Sequence, residues 1–174
     1  MIKPLNFLCI IQARLGSTRF PGKVLQTVNG KTLIKRVWDA AKVSLADKVV
    51  VAWPERYPDL DETNVLERFR RVSREFPSKY IIRLTSDCPL LTSDIINTAI
   101  NRFFECGRHY YCNQDVFPDG FDVQIFTSHM LHSSYATHRE HVISPVVPPH
   151  FLSVDTKEDL ERVRIYARHE LHGK

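Results

Sequence analysis

Short apolar runs alternate along the first hundred residues with segments whose apolar residues recur at helical spacing. The apolar runs have strand length and predict buried strands at Leu5–Ile11, Lys48–Trp53 and Tyr80–Leu84. The periodic segments predict helices within 33–41, 65–76 and 95–104, each with one apolar face. Strands that alternate with helices indicate a parallel sheet whose crossover connections are helical. The pattern therefore predicts an α/β layer structure.

The second half of the chain predicts shorter strands. His109–Asn113 and Phe121–Thr127 flank a Pro-Asp-Gly turn, and the second of these strands is expected to be antiparallel. A final strand at Phe151–Val154 is expected to lead into a helix from Thr156 to about His169. No linker, internal repeat or low-complexity segment interrupts the chain, so residues 1–174 are predicted to form a single compact domain.

The loop after the first strand, QARLGSTRFPGK at 12–23, contains three cations and no acid. In the predicted sheet it lies at the carboxyl edge, where ligands of open α/β sheets bind. Two glycines allow close approach of backbone N–H groups, and Arg14, Arg19 and Lys23 supply charge, so the loop has the parts of a phosphate site. It matches neither the Walker nor the dinucleotide glycine motif. The alternative is a solvated basic loop, and in both cases the cationic side chains are expected at the surface.

Two aspartates are expected at the same edge of the sheet. Asp87 follows the third strand, and Asp155 follows the last one. Together they could hold Mg²⁺, which usually takes one or two carboxylates and substrate phosphates. The structural alternatives are that Asp87 begins a turn before Pro89 and that Asp155 only precedes a capping box formed by Thr156 and Asp159.

Composition narrows the class of protein. The net charge is +4, yet all seven cations of residues 1–38 precede the first acid, Asp39, which favours a local anionic ligand over a nucleic acid. No apolar run reaches the length of a membrane helix, no signal-peptide pattern is present, and the four cysteines form no zinc or CxxC spacing. A reduced cytoplasmic protein is expected. Histidine pairs three residues apart, at 129 and 132 and at 138 and 141, are interpreted as surface residues.

The motifs together resemble one family. The run IIQARLGSTRFPGKVL is similar to the N-terminal signature of SpsF-like sugar cytidylyltransferases, with CMP-KDO and CMP-sialic acid synthetases as more distant relatives. The similarity continues in order through GKTLIKRV, DKVVVA, VLERF, RLTSDCPLL, FPDGFDVQIF, REHV and VDTKEDLERVR. The resemblance implies the three-layer nucleotidyltransferase sandwich, which is glycosyltransferase-A-like and has a mostly parallel central sheet. It also implies transfer of CMP from CTP to a sugar acid, with release of pyrophosphate.

The resemblance assigns roles to matched positions. It implies nucleotide binding by a set of residues in and near the loop: Ala13, Arg14, Gly16, Ser17, Arg19, Lys23 and Thr85. It implies catalytic roles for Arg14, Lys23, Asp87 and Asp155, with the two aspartates holding Mg²⁺. It implies acceptor binding by Asp119, Asp122, Arg139, Glu140 and His141, although a tight turn and an exposed helix start explain these segments equally well. It allows a homodimer and predicts no nucleic-acid or membrane partner.

Two departures from the family pattern leave alternatives open. The connection from Trp53 to NVLERF is about ten residues, and the stretch Ile143–Phe151 between REHV and VDT is also short. Both are longer in the family, and the second helps to form its acceptor pocket and dimer contact. One alternative is therefore a nucleotidyltransferase with another acceptor, such as a sugar phosphate. Another is a trimmed protein that binds CTP or a CMP-sugar without turnover.

Overall fold

The computed structural model describes residues 6–114, 116–133 and 153–172, with side chains described as far as residue 168. Its strands are β1 (Phe7–Gln12), β2 (Thr27–Val28), β3 (Lys31–Thr32), β4 (Lys48–Ala52), β5 (Tyr80–Thr85), β6 (Tyr110–Cys112) and β7 (Gln124–Thr127). Its α-helices are α1 (Leu33–Lys42), α2 (Val65–Glu75), α3 (Ser93–Cys106), α4 (Ser128–His132) and α5 (Lys157–His172). Short 3-10 turns occur at Lys23–Leu25 and Pro54–Arg56. None of the described helices has the length and apolar character to cross a bilayer.

The main sheet has five strands in the order β4-β1-β5-β7-β6. β1 lies in the centre of the parallel half, paired with β4 on one side and β5 on the other. β7 runs antiparallel to β5 and to β6. The prediction of a mostly parallel α/β sheet with an antiparallel later strand is confirmed. In the parallel half, β1 and β5 end together, so the loop at 12–23 and the turn at Asp87 leave the same edge.

Helices cover both faces of the sheet and make it a three-layer structure. α1 and α3 pack on the face that carries Cys9 and Ile11. α2 and α4 pack on the face that carries Leu8 and Ile10. Successive residues of β1 thus enter opposite cores, as a strand buried on both faces requires. Their complete burial fixes β1 as the rigid base from which the loop at 12–23 leaves.

A small hairpin formed by β2 and β3 follows this loop and was not predicted. Its turn is Asn29-Gly30, and both residues have positive φ, 49° and 74°. Asn-Gly between two strands is a strong hairpin signal, so the sequence did contain the information. Val28 of the hairpin packs with Leu160 of α5, which ties the end of the described chain to the region of the loop.

The predicted strand at Phe151–Val154 is not found in its described part, since Ser153 and Val154 are not in a strand. Phe151 itself lies outside the described residues. The Val154 N–H nevertheless donates to the Asp87 carbonyl at 2.8 Å, so a single backbone hydrogen bond does the positioning that a strand was expected to do. The predicted capping box is confirmed: the Asp159 N–H donates to Thr156 Oγ1, and the Thr156 N–H donates to Asp159 Oδ2.

Candidate functional site

A single ammonium group joins the loop to both aspartates. Lys23 Nζ donates to Asp87 Oδ2 at 2.7 Å and to Asp155 Oδ1 at 2.8 Å. Since both oxygens touch one nitrogen, they are at most about 5.5 Å apart. Arg19 Nη2 contacts the other oxygen of Asp155 at 2.9 Å. Residues from three distant parts of the sequence thus converge at the carboxyl edge of the sheet.

The local sequence explains this convergence. Gly22, with φ of 66°, turns the chain into the 3-10 turn that carries Lys23 inward. Asp87 lies in the turn after β5, and the bond from the Val154 N–H to its carbonyl brings Asp155 alongside. The Asp155 N–H donates to Asp159 Oδ2, so the first turn of α5 holds the backbone of Asp155 while its carboxylate faces Lys23.

The contacts between these charges shift the pKa values of Lys23 and Asp155. Burial alone would lower the pKa of Lys23, but the Asp87 and Asp155 carboxylates outweigh burial and raise it. Burial would raise the pKa of Asp155, but its hydrogen bond with Lys23 and the charge of Arg19 lower it. The Lys23 ammonium thus compensates the negative charge of the carboxylates that it contacts.

The expectation that Lys23 is a surface side chain is wrong. Only 7% of its side chain is exposed, because the 3-10 turn directs it under the loop toward the two acids. Ala13 and Ser17 are also buried, whereas Arg14 and Arg19 are exposed. The loop therefore has one buried cation held by acids and two exposed cations at its surface.

One backbone N–H of the loop already donates to a carboxylate within the protein. Gly16 N–H donates to Glu62 Oε1 at 3.0 Å, and a Cβ at Gly16 would collide with the Glu62 carboxylate. Glu62 lies just before α2 and accepts, through its carbonyl, a hydrogen bond from Arg68 Nη1. Arg68 is completely buried, and its Nε and Nη2 have no hydrogen-bond partner among the described residues. The short connection from β4 to α2 thus places an anion against the loop.

The role of Glu62 and Arg68 was not predicted, although a signal for Arg68 exists. It follows Val65 by three residues and precedes Phe69 and Val72, all buried on one face of α2. A charged residue on an apolar helical face is unusual and points to a polar partner inside. Glu62 has no such signal, because its contact with Gly16 depends on the path of the connection.

The expected acceptor segment forms a turn close to the two acids. Gly120 has φ of 99° in a turn closed by the Phe121 N–H and the Pro118 carbonyl. Asp119 accepts a hydrogen bond from Ser153 Oγ at 2.6 Å. Burial, the charge of Asp119 and, to a smaller extent, the charge of Asp87 raise the pKa of Asp122 to about 7. Ser153, which donates to Asp119, directly precedes Val154, whose N–H donates to the Asp87 carbonyl, so this turn lies beside the turn that carries Asp87.

The positions of the other predicted residues say little about function. Thr85, at the end of β5, has its hydroxyl 3.1 Å from the Cys88 sulfur. Arg139, Glu140 and His141 lie outside the described residues. His132 contacts Ser73 Oγ through Nε2, and the described residues contain no cluster of three or more His, Cys, Asp or Glu side chains that could hold a metal. All four cysteines are free thiols.

Comparison with known proteins shows what this chain is similar to. The sequence profile described as Cytidylyltransferase matches residues 8–54, which include β1, the loop and β4. The chain is 27% identical to the spore coat polysaccharide biosynthesis protein SpsF of Bacillus subtilis (strain 168), over 91% of this chain and 85% of that protein. It is 34% identical to a 3-deoxy-manno-octulosonate cytidylyltransferase of Pseudomonas syringae pv. tomato, over 57% of this chain. That match spans 31% of the relative's length.

The fold agrees with these matches. A cytidylyltransferase structure from Leptospira borgpetersenii serovar Hardjo-bovis superposes with a TM-score of 0.76 at 24% identity, covering 92% of this chain and 85% of that one. The predicted nucleotidyltransferase fold is therefore confirmed. The sequence matches confirm the resemblance to SpsF-like sugar cytidylyltransferases.

Glu62→Gln tests whether the Gly16 N–H belongs to an anion site. Glutamine can still accept the Gly16 hydrogen bond, but it removes a negative charge that competes with a bound anion. We expect affinity for inorganic pyrophosphate to rise about threefold to tenfold at low salt, with a smaller gain at high salt. Isothermal titration calorimetry measures it, with Glu105→Gln on α3 as a surface control. Unchanged or weaker binding would exclude Gly16 from the site.

Asp122→Asn tests the unusual carboxyl group. Because its folded pKa is raised to about 7 from an unfolded value near 3.9, the native protein holds a proton that the unfolded chain loses between those values. Wild-type stability should therefore fall as pH rises through that window. The asparagine variant has no such carboxyl group, so its free energy of unfolding should not fall in this way. The free energy of unfolding of the variant minus that of wild type should therefore grow from about pH 4 to pH 7 and then level off. Urea unfolding across pH, with Glu105→Gln as control, measures the difference; a pH-independent difference would contradict the assignment.

Proposed function

We propose that this chain, a relative of the SpsF-like sugar cytidylyltransferases, transfers CMP from CTP to a sugar acid and releases pyrophosphate. The observation that carries the proposal is the contact of one buried lysine with two aspartates, at the end of a cation-rich loop on the carboxyl edge of the sheet. The profile described as Cytidylyltransferase matches residues 8–54, which contain the loop and Lys23.

The loop is proposed to bind the triphosphate. Arg14 and Arg19 are exposed and can donate to phosphate oxygens, and Gly16 offers a backbone N–H that already binds a carboxylate. Guanidinium groups suit phosphates because they present donors in a planar fork. Ala13 and Ser17 are buried, so they would shape the loop and offer backbone groups more readily than side chains.

The reaction joins an acceptor oxygen to the α-phosphorus. The sugar hydroxyl attacks as it loses its proton, the bond from the α-phosphorus to the bridging oxygen breaks, and pyrophosphate leaves with the electron pair. Such transfers depend mainly on alignment and on neutralising charge. Arg14, Arg19 and Lys23 of the loop would stabilise the negative charge that builds on the departing pyrophosphate.

Asp87 and Asp155 fit a magnesium ion. Their carboxylate oxygens converge on one positive charge, the Lys23 ammonium, and a pair of carboxylates is the set that Mg²⁺ usually takes beside substrate phosphates. When bound, the ion would supply charge neutralisation and orientation of the phosphates. Lys23 would then be free to donate to the nucleotide instead of to both acids.

The acceptor is proposed to lie beside the turn at Asp119 and Asp122. The neighbouring residues Ser153 and Val154 hydrogen-bond to Asp119 and to the Asp87 carbonyl, which supports an acceptor site beside the proposed centre of the reaction. Arg139, Glu140 and His141 stay predictions from the sequence, as do the homodimer and the cytoplasmic location.

A pyrophosphate-release assay tests the proposal directly. The chain is incubated with CTP, Mg²⁺ and a panel of sugar acids, and pyrophosphate is quantified with and without each acid. Release that requires both CTP and an acid supports the proposal. Release only with neutral or phosphorylated sugars would assign another acceptor, and CTP binding without release would favour a non-catalytic binding protein.

Nucleotide choice gives a second test. If the loop binds the triphosphate, CTP with Mg²⁺ should raise the melting temperature, since a ligand that binds only the folded state stabilises it. The increase should be larger with CTP than with ATP or GTP in differential scanning fluorimetry. Equal increases with all three nucleotides would be consistent with the phosphate site but would contradict the preference for cytidine.

Removing either carboxylate charge should reduce turnover. Asp87→Asn and Asp155→Asn should each lower kcat about a hundredfold or more, as expected for loss of one electrostatic group at the transition state. The melting temperature should change little, because Lys23 keeps the other acid. The double variant should lose scarcely more turnover, since the pair acts as a unit. Asp59→Asn, on an exposed ion pair with Arg71, is the control. Turnover within threefold of wild type in either single variant would refute the catalytic assignment.

A further inference from the structure

Arg83 is a cation in the central sheet that contacts only neutral oxygens. It lies in β5, between the buried residues Ile82 and Leu84, and is itself half-buried. Its Nε and Nη2 donate to Gln12 Oε1 at 3.1 and 2.7 Å, and its Nη1 donates to Gln124 Oε1 at 2.8 Å. Among the ion pairs formed by the described residues, none involves Arg83.

The two glutamines orient this guanidinium without neutralising it. Amide oxygens accept hydrogen bonds but carry no net charge, so the full positive charge of Arg83 remains. Lys23, at the same edge of the sheet, is instead compensated by two carboxylates. A guanidinium has five N–H donors, and the contacts with the glutamines use three nitrogens, so donor capacity is left for a ligand. A fixed, uncompensated guanidinium is suited to bind a carboxylate.

The Arg83 side chain extends toward the carboxyl edge of the sheet, where the proposed reaction centre lies. Arg83 is aligned with Ile10 in β1, yet its side chain reaches Gln12, two residues closer to the carboxyl edge. Gln12 ends β1 and begins the loop, whereas Gln124 begins β7 directly after the Asp119–Val123 segment. Arg83 therefore links the nucleotide loop on one side with the acceptor turn on the other.

We infer that Arg83 binds the carboxylate of the acceptor and so selects sugar acids over neutral sugars. The inference rests on the proposed function. The exposed arginines of the loop serve the triphosphate, while Arg83 comes from the sheet between the loop and the turn at Asp122. An anionic acceptor placed there would bring its own negative charge to a guanidinium that hydrogen-bonds only to amide oxygens among the described residues.

A comparison of two acceptors in two proteins tests the inference. The acceptors are a sugar acid that supports pyrophosphate release and its carboxamide, which keeps the shape but lacks the charge. Wild type should favour the acid in kcat/KM by about tenfold to a hundredfold, the range expected for hydrogen bonds to a charged group. Arg83→Gln should lose most of this preference by raising the KM for the acid, with the KM for CTP within twofold. Arg102→Gln, on an exposed face of α3, is the control.

Two further variants distinguish a loss of acid binding from a folding defect in Arg83→Gln. Arg83→Lys keeps the charge but loses the fork, so its preference for the acid should be intermediate. Gln124→Glu keeps Arg83 and adds an internal counter-charge beside it, so it should raise the KM for the acid while CTP still raises the melting temperature.

The outcomes separate the inference from the proposed function. An undiminished acid preference in Arg83→Gln and Gln124→Glu would overturn the role of Arg83 while leaving the cytidylyltransferase proposal intact. A raised KM for CTP instead of the acid would place a phosphate at Arg83 and also overturn it. Failure of wild type to use any acid would overturn both.

Discussion

The contact of the Lys23 ammonium with Asp87 and Asp155 is the interaction on which the site depends. Two carboxylates this close repel each other, and a buried cation between them removes that cost. Lys23 belongs to the loop, Asp87 follows the end of β5, and Asp155 precedes the start of α5. This group thus links three chain segments that also share a hydrophobic cluster, through Phe20, Leu90 and Val154, and it leaves them where a nucleotide could be bound.

The charges around this group are arranged in distinct ways. Lys23 is compensated by acids, Arg83 is held by two amides, and Arg68 has two nitrogens without partners in the described part of the chain. Glu62 is the reverse case, an anion placed against the Gly16 N–H. The pattern fits a site whose internal charges stand in for parts of a ligand: an ammonium between the proposed metal-binding acids and a carboxylate at the proposed phosphate loop. Binding would then exchange internal partners for ligand groups, with a modest net change in buried charge.

Much of the fold could be predicted because apolar periodicity determines it locally. β1, β4 and β5 and the helices between them follow from runs such as FLCIIQ and from one-sided segments such as that of α3. The prediction of a strand before Asp155 was wrong. This segment is positioned by one hydrogen bond from the Val154 N–H to the Asp87 carbonyl, and such a bond produces no recognisable sequence pattern. The partnership of Asp87 and Asp155 was expected from topology, but the burial of Lys23 depends on the left-handed Gly22 and could not be read from composition. Contacts such as Glu62 with Gly16 depend on how a connection folds back, so they too needed three-dimensional information.

The central claim is that Lys23, Asp87 and Asp155 form the centre of a magnesium-dependent nucleotidyl transfer. A crystal structure with a non-hydrolysable CTP analogue and Mn²⁺, recorded at a wavelength where manganese scatters anomalously, tests it most directly. We expect an anomalous peak beside the Asp87 and Asp155 carboxylates, with Lys23 Nζ moved onto a phosphate oxygen. Nucleotide bound elsewhere, with Lys23 still between the two acids and no peak beside them, would contradict it.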